Sequence, residues 1–386
     1  MKILHVVTSL DPAQGGPPAV VTRLAAAQAA LGHEVGILAY ADPAAAERTA
    51  RSVAPIPGFD RVAVHSLPPP SRLARFTGSD VRAFLEPRLA RGTYLHLHGI
   101  WDTLLIHAAK AARRAGVPYA LVPHGMLDPW SLAQRALKKK IALRLGFGAL
   151  IRNASFLHVL NADEDRLVGL LGLNPRTAVI PNGVFLNEIE PLPPRGSFRA
   201  KHAALADDPY VLFLSRLHFK KGLDYLADAF AIATKSMPHL RLVVAGPDDG
   251  ARDPFVQQIA RLGLSDRTHV VGPVYGTDKI AAFVDAAAFC LPSRQEGFSV
   301  AVTEALACGT PVVISDQCHF PEVAEVGAGC VVPCDASATG AALTRVLSDD
   351  DTARRMGEAG ARLVRERFTW PKVAELTMQM YTKFAH

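Results

Sequence analysis

Short apolar runs alternate with longer Ala- and Leu-rich stretches along this chain. In the first half, residues 3–8, 34–39, 94–98, 119–123, 156–160 and 178–180 read as β-strands, and stretches such as 19–31 and 104–115 read as helices. Strands separated by helical lengths predict a parallel sheet with crossover helices. The rhythm stops near Pro181-Asn182-Gly183 and breaks into Pro191-Leu192-Pro193-Pro194, which reads as a linker. A second series follows at 210–214, 240–245, 268–271, 287–291, 311–315 and 330–332. The pattern predicts an α/β protein of two doubly wound domains, 1–190 and 209–369, joined by a linker at 191–208. Ligands of such sheets bind at the carboxyl ends of the strands, here in a cleft between the two domains. The last segment, from Trp370-Pro371 onward, reads as a helix with proline in its first turn.

Composition narrows the class. A length of 386 residues suits two domains, and 49% hydrophobic with 20% charged residues gives each half enough to bury a core. No stretch reaches the roughly 18 uninterrupted apolar residues of a spanning helix. The apolar start stops at Asp11-Pro12, too early for a signal-peptide core. Any membrane role is therefore expected at the surface. The cysteines Cys290, Cys308, Cys318, Cys330 and Cys334 form no Cys-x-x-Cys pair, and reduced thiols in a cytosolic protein are their simplest account. Charge is uneven. Residues 1–182 hold 21 Lys and Arg against 12 Asp and Glu, a net of +9, and the remainder holds 21 against 24, a net of −3. The basic half suits an anionic partner or an acidic membrane surface, or is simply a solvated Arg-rich face.

Several constellations carry chemistry. In Leu214-Ser215-Arg216-Leu217-His218-Phe219-Lys220-Lys221-Gly222 a strand ends in a cluster of cations. Arg216 with Lys221 or Lys220 at the mouth of a sheet can hold a diphosphate, Arg through forked bonds and Lys as a point charge. The run from Pro292 to Ala305 (Pro-Ser-Arg-Gln-Glu-Gly-Phe-Ser-Val-Ala-Val-Thr-Glu-Ala) reads as a turn with a helix starting near Ser299, whose N–H groups and positive dipole end suit a phosphate. Glu296 and Glu304 are poor phosphate neighbours and are assigned to ribose or sugar hydroxyls. Gly15-Gly16 allows close backbone approach. It is not a Gly-x-Gly-x-x-Gly fingerprint, so ordinary dinucleotide binding is disfavoured. Two His-Gly turns, His98-Gly99 and His124-Gly125, follow strands, with Trp101 and Trp130 nearby to stack on sugar faces. A histidine there can donate to a sugar hydroxyl or assist a proton transfer, and His124 is the preferred one. Asp163-Glu164-Asp165 matches Asp-x-Asp but is read as helix capping, so no metal site is assigned. Lys138-Lys139-Lys140 with Arg135 and Arg144, interleaved with Leu137, Ile141, Leu143 and Leu145, is either a half-buried helix with a solvated face or a segment resting on an anionic bilayer. No nucleic-acid motif accompanies the basic half.

Ser215-Arg216 with Lys221-Gly222, the Glu-x7-Glu spacing of Glu296 and Glu304, Gly309-Thr310-Pro311-Val312-Val313, Asn182-Gly183 and Gly15-Gly16 together resemble family 4 retaining glycosyltransferases of the GT-B fold, two Rossmann-like domains. The stretch His124-Gly125-Met126-Leu127-Asp128-Pro129-Trp130 resembles bacterial enzymes that build exopolysaccharides and other surface glycans. The resemblance implies that Arg216 and Lys221 neutralise the donor diphosphate and that Glu304 binds the ribose. It sets Glu296 beside the donor sugar, with the backbone of Gly297, Phe298, Ser299 and Val300 nearby. It implies that His124 touches the donor sugar near the reaction centre, that Gly15 and Gly16 approach the phosphate, and that Gly272 to Val274 hold the base. His98, Trp101 and Trp130 fall to the acceptor. The first domain would then bind the acceptor, the second the nucleotide sugar, and the helix 370–386 would pack back on the first. The expected activity is hexosyl transfer, UDP-glucose type favoured over GDP-mannose type, to a glycan or lipid-linked acceptor. It needs no cofactor and is expected in the cytoplasm, with peripheral contact to the inner face of the membrane left open by the basic segment. A nucleotide-sugar epimerase, a sugar phosphorylase and a non-catalytic glycan-binding protein are the alternatives.

Overall fold

The computed structural model describes residues 1–128, 131–132 and 136–385. Strands β1 (Lys2–Val7), β2 (Glu34–Tyr40), β3 (Ala63–Leu67), β4 (Thr93–His98), β5 (Tyr119–Val122), β6 (Phe156–Val159) and β7 (Thr177–Val179) form a parallel sheet in the order β3-β2-β1-β4-β5-β6-β7. Strands β8 (Tyr210–Leu214), β9 (Arg241–Ala245), β10 (Thr268–Gly272), β11 (Ala288–Leu291), β12 (Val312–Ser315) and β13 (Gly329–Val332) form a second parallel sheet, ordered β10-β9-β8-β11-β12-β13. The chain divides into two compact Rossmann-like units, Met1–Asn182 with Trp370–His386, and Gly183–Thr369.

The central strands are mostly apolar because helices cover both faces of each sheet, although the first sheet also buries His5, His96, His98 and His158. All six residues of β4 are buried, and Val6, Leu95, Leu97, Leu121 and Leu157 of the first sheet are fully excluded from solvent. In the second unit Phe213, Phe230, Phe283 and Phe289 fill the core. Strand β3 escapes the apolar-run pattern. It pairs only with β2 at the sheet edge, and Ala63, Val64 and Ser66 are exposed, so no continuous apolar run marks it.

Two segments show how sequence-distant pieces complete these units. Within 191–208, Phe198 and Leu205 enter the second core, and the Asp285 carboxylate accepts from the backbone N–H groups of Gly196, Phe198 and Arg199 at 2.6, 2.9 and 3.2 Å. This proline-rich stretch is therefore held to the second unit. The helix Trp370–Lys383 packs on the helix Gly16–Ala30 of the first unit, and its Tyr381 stacks on Tyr94 with ring centroids 4.2 Å apart. Among the described residues no helix is long and apolar enough to cross a membrane.

In each sheet the strand order reverses once, between β1 and β4 in the first and between β8 and β11 in the second. At such a point adjacent loops leave in opposite directions and open a crevice at the carboxyl edge.

Candidate active site

In the second unit, the segments 214–222 and 292–305 leave the neighbouring strands β8 and β11 at the reversal. Glycines let the loop after β8 touch the loops after β11 and β9. Gly222 has φ +69°, and a Cβ there would lie 2.0 Å from the Pro292 carbonyl oxygen. Gly246, after β9, has φ +142°, and its Cβ would lie 1.8 Å from the Ser215 oxygen. Side chains then cross-link the loops. Lys221 Nζ donates to Glu296 Oε1 at 2.6 Å, and Ser293 Oγ donates to the same oxygen at 2.7 Å. Lys220 Nζ donates to Gln295 Oε1 at 2.6 Å, and the Arg294 backbone N–H donates to the Lys220 carbonyl at 2.7 Å. Arg294 forks onto both oxygens of Asp224 at 2.7 and 2.5 Å, and its guanidinium lies 4.2 Å from the Phe219 ring centroid. Burial opposes ionisation of Asp224, yet the Arg294 fork holds its carboxyl below the usual value.

Arg216 behaves differently. Its side chain is 65% exposed, and Nη1 donates to Asp249, itself 45% exposed, at 2.6 Å. The Lys221–Glu296 pair is 16% and 8% exposed. On the far side of the Pro292–Ser299 loop, Ser299 caps the helix Val300–Ala307, its Oγ accepting from the Val302 N–H at 3.4 Å. A helix start leaves N–H groups without intrahelical partners, and these carry partial positive charge. Glu304, one turn on, accepts from Lys279 Nζ at 2.6 Å through Oε1. Gly272 ends β10 at φ +76° and accepts from the Gly246 N–H at 2.9 Å, and Val274 follows half-buried. Gly297 and Val300 are exposed, and Phe298 packs against Phe320. Arg216, Lys221, Gly272, Val274, Glu296 to Val300 and Glu304 thus occupy this unit, most of them on loops at the carboxyl ends of β8, β10 and β11. Sequence reading passed over Ser293, Lys279 and Asp249, single polar residues that gain meaning only beside the carboxylate or cation they bond.

In the first unit the reversal between β1 and β4 opens a cavity of about 580 Å³, lined among others by Gln14, Pro17, Tyr40, Arg75, His98 and Trp101. Gly15 turns the chain at φ +97°, and the helix begins at Gly16; nothing would crowd a Cβ at either position. Trp101 packs on Phe147 at 5.5 Å, with Lys139 Nζ 5.2 Å from its ring centroid. Trp130 and Arg135 lie outside the described residues.

His124 and Gly125 form a tight turn after β5 with φ +52° and +72°. A left-handed histidine is costly, and Glu164 helps hold it. One oxygen of the Glu164 carboxylate accepts from the Gly125 N–H at 2.8 Å, and the other from the Leu160 N–H at 2.7 Å. Glu164 stands at the start of the helix Ala162–Gly169, where Asn161 Oδ1 caps its own N–H at 2.8 Å. Burial raises its carboxyl above the usual value, partly countered by the two backbone donors. Of the acidic triplet, Asp163 pairs with Arg166, while Glu164 turns inward to the His124 turn. Sequence reading gave the triplet a capping role and could not separate its middle member, whose partner is 39 residues away.

Behind His124 the sheet holds further histidines. His98 Nδ1 lies 3.1 Å from His124 Nε2, and His98 Nε2 lies 2.9 Å from His5 Nδ1. Both ring nitrogens of His98, which is 2% exposed and lines the cavity, are therefore engaged by other histidines. Burial lowers His5 to about 4, His124 to about 3 and His158 to about 4, and takes His96 and His98 well below the usual value. All five are neutral imidazoles near pH 7.

Two family models match the chain: "Glycosyl transferase 4-like domain" over residues 15–183 and "Glycosyl transferases group 1" over residues 194–363. The chain is 31% identical over 315 residues to the α-maltose-1-phosphate synthase of Mycolicibacterium smegmatis, covering 75% of this chain and 79% of that one. It is 33% identical over 209 residues to the MMP α-(1→4)-mannosyltransferase of Mycolicibacterium hassiacum, a match that spans 53% of this chain and about half, 48%, of that protein. Among solved structures, Anabaena Alr3699/HepE in complex with UDP and glucose superposes with a TM-score of 0.75 at 20% identity, over 99% of this chain and 100% of that one. Two parallel-sheet units of this construction, matched along both halves, have one reading: the chain belongs to the GT4-type glycosyltransferases of the GT-B fold.

Proposed function

We propose that this glycosyltransferase moves a hexosyl group, with retention at the anomeric carbon and without a metal, from a nucleoside-diphosphate sugar to a glycan or lipid-linked acceptor in polysaccharide biosynthesis. UDP-glucose-type donors are preferred to GDP-mannose-type ones. Residues 209–369 take the donor and 1–190 the acceptor. The observation that carries this reading is the juxtaposition, at the strand-order reversal between β8 and β11, of the Arg216–Lys221 cation loop with the loop that opens the helix Val300–Ala307.

Departure of a nucleoside diphosphate builds negative charge on the leaving oxygen. A guanidinium, an ammonium and helix N–H groups aimed at it lower the barrier by electrostatics prepared in advance. Arg216, exposed and paired to an exposed Asp249, can exchange that carboxylate for phosphate oxygens at small cost. Lys221 and Ser293 both engage Oε1 of Glu296, so we assign Oε2 to a hydroxyl of the donor sugar. Lys279 engages Oε1 of Glu304, and Oε2 is assigned to the ribose. Gly272 to Val274 hold the base through the backbone, Gly15 and Gly16 admit the phosphate, and His124 meets the sugar. The preference for UDP is supported by the solved relative that carries UDP and glucose.

The cavity beside β1 and β4 suits the acceptor, with Trp101 as a stacking surface. Leu73 and Phe76, 71% and 84% exposed on the helix Arg72–Thr77, support an acceptor with an apolar portion. Leu137, Ile141 and Leu145 are exposed beside Lys138, Lys140 and Arg144, which supports a cytoplasmic enzyme resting on an anionic membrane.

A thermal-shift series with UDP, GDP, ADP and their hexose conjugates tests the donor assignment, because a ligand bound only by the folded state raises the melting temperature. UDP and UDP-glucose should give the largest shifts. Absence of any shift with every nucleotide would overturn the diphosphate site. Turnover should survive excess chelator, and the product should keep the anomeric configuration of the donor.

A further inference from the structure

A continuous hydrogen-bonded file runs from the core of the first unit to His124. At its inner end Tyr381, fully buried, lies 2.5 Å from Nδ1 of His96 and accepts from Gln28 Nε2 at 3.4 Å. Gln28 Oε1 lies 2.7 Å from His5 Nε2, His5 Nδ1 lies 2.9 Å from His98 Nε2, and His98 Nδ1 lies 3.1 Å from His124 Nε2. The file draws on β1, β4, the turn after β5 and the helices Gly16–Ala30 and Trp370–Lys383.

A neutral imidazole has one N–H and one lone pair, so each bond along the file dictates the next. The Gln28 carbonyl can only accept, which places the His5 proton on Nε2 and leaves Nδ1 a lone pair. His98 must then donate from Nε2 and accept at Nδ1. His124 in turn donates from Nε2, and its Nδ1 is bare. The reverse direction requires the Gln28 amide to turn over, and the other branch argues against that. With the amide N–H directed at Tyr381, the phenol proton goes to His96 Nδ1 and the His96 N–H stands on Nε2. His158 donates from Nε2 to the Ile180 carbonyl at 2.8 Å, leaving a lone pair on Nδ1. His96 Nε2 and His158 Nδ1 are both buried without a partner among the described residues, on rings whose centroids are 5.3 Å apart. In the direction given, these neighbours are one donor and one acceptor. In the reverse direction both are lone pairs of like partial charge, the less favourable of two arrangements that each leave these atoms unbonded.

We infer that Gln28, His5 and His98 are positioning residues that lock His124 in its Nε2–H tautomer, so that a lone pair at Nδ1, and not an N–H, meets the substrate. Resting on the placement of His124 beside the sugar, this makes His124 an acceptor of a hydroxyl proton. The site then recognises a sugar hydroxyl as donor, which a fluorine or ether oxygen at that position cannot replace. His5, His96 and His98 also bring ring nitrogens within 4.8 Å of one another. The file, however, occupies both nitrogens of His5 and of His98, and a metal ion would have to break it.

Nitrogen-15 NMR of the full chain labelled at histidine reads the tautomer directly near pH 7, with His124 assigned by its loss in His124→Asn. The expected spectrum has Nε2 of His124 protonated and Nδ1 bare; a protonated Nδ1 overturns the inference, whether or not any variant folds. Gln28→Met removes the terminal acceptor and should move His124 toward the Nδ1–H form. Tyr381→Phe removes the phenol but keeps the Gln28 carbonyl and should leave the His124 pattern unchanged. Equal spectra in wild type and Gln28→Met, or equal changes in both variants, also overturn it. His124→Asn that hydrolyses UDP-glucose as fast as wild type would refute the sugar placement while leaving the tautomer pattern standing, so the two failures are distinguishable.

Discussion

At the residue scale, the two proposed phosphate cations differ in what they do for the fold. Arg216 is mostly exposed and paired to an exposed carboxylate, an arrangement worth about 0–1 kcal/mol. Lys221 neutralises a carboxylate that is 8% exposed, and its loss leaves that carboxylate the Ser293 hydroxyl but no cation among the described residues. Arg216→Ala should therefore weaken UDP binding with the melting temperature unchanged. Lys221→Ala should weaken it and also destabilise the second unit by about 2 kcal/mol. Calorimetric titration with UDP beside thermal melts separates the two effects. Glu164 makes a second test. Glu164→Ala strips acceptors from the Gly125 and Leu160 N–H groups, and should cost about 2 kcal/mol and slow turnover, because the left-handed His124 turn loses its tether. Turnover equal to wild type would remove Glu164 from the positioning of His124.

At the element scale, loop contact depends on missing side chains. Gly222→Ala would force a Cβ against the Pro292 carbonyl in a left-handed backbone, and should destabilise the second unit by about 3 kcal/mol or more. Gly16→Ala meets no atom within 4 Å and should change stability by less than about 0.5 kcal/mol. Its nucleotide affinity should nonetheless fall, since the added methyl stands where phosphate is proposed to approach. Denaturant melts of both variants with and without UDP check this contrast. A stable Gly222→Ala would contradict the close approach of the loops after β8 and β11. The sequence showed a glycine at each place but not which of them a carbonyl presses against.

At the scale of the whole molecule, acid should act on one unit first. His5, His96, His98, His124 and His158 all belong to the first unit, and burial depresses all of them. A depressed histidine gives its full stability above its unfolded value of about 6.5 and loses it as pH falls toward the folded value, near 4 for His5 and His158. Between pH 6.5 and 4 the first unit should lose on the order of 1.4 kcal/mol per pH unit for each such histidine. Glu164, with its raised carboxyl, runs the other way but is a single group. The three tryptophans, Trp101, Trp130 and Trp370, lie in the residue ranges of the first unit. Tryptophan fluorescence should therefore show an acid transition at higher pH than the far-ultraviolet dichroism of the full chain. Coincident transitions would mean that the histidines are not what fails first.

The alternation of apolar runs with helical stretches, the two breaks at proline and glycine, and the cation and glutamate spacings of the second half were all readable from the sequence. Each is a local property: period, turn chemistry and charge survive in any short window. The edge strand Ala63–Leu67 was not readable, because a strand with one partner and one wet face needs no apolar run. Nor were the long-range pairings. Gln28 and Tyr381 stand 353 residues apart, and Lys221 and Glu296 stand 75 apart. Which carboxylate is tied to which cation, which acid of the 163–165 triplet holds the His124 turn, and which histidines share protons depend on side chains meeting across strands and helices. Hydrogen bonds act only over a few ångströms, so the tertiary fold alone chose those partners.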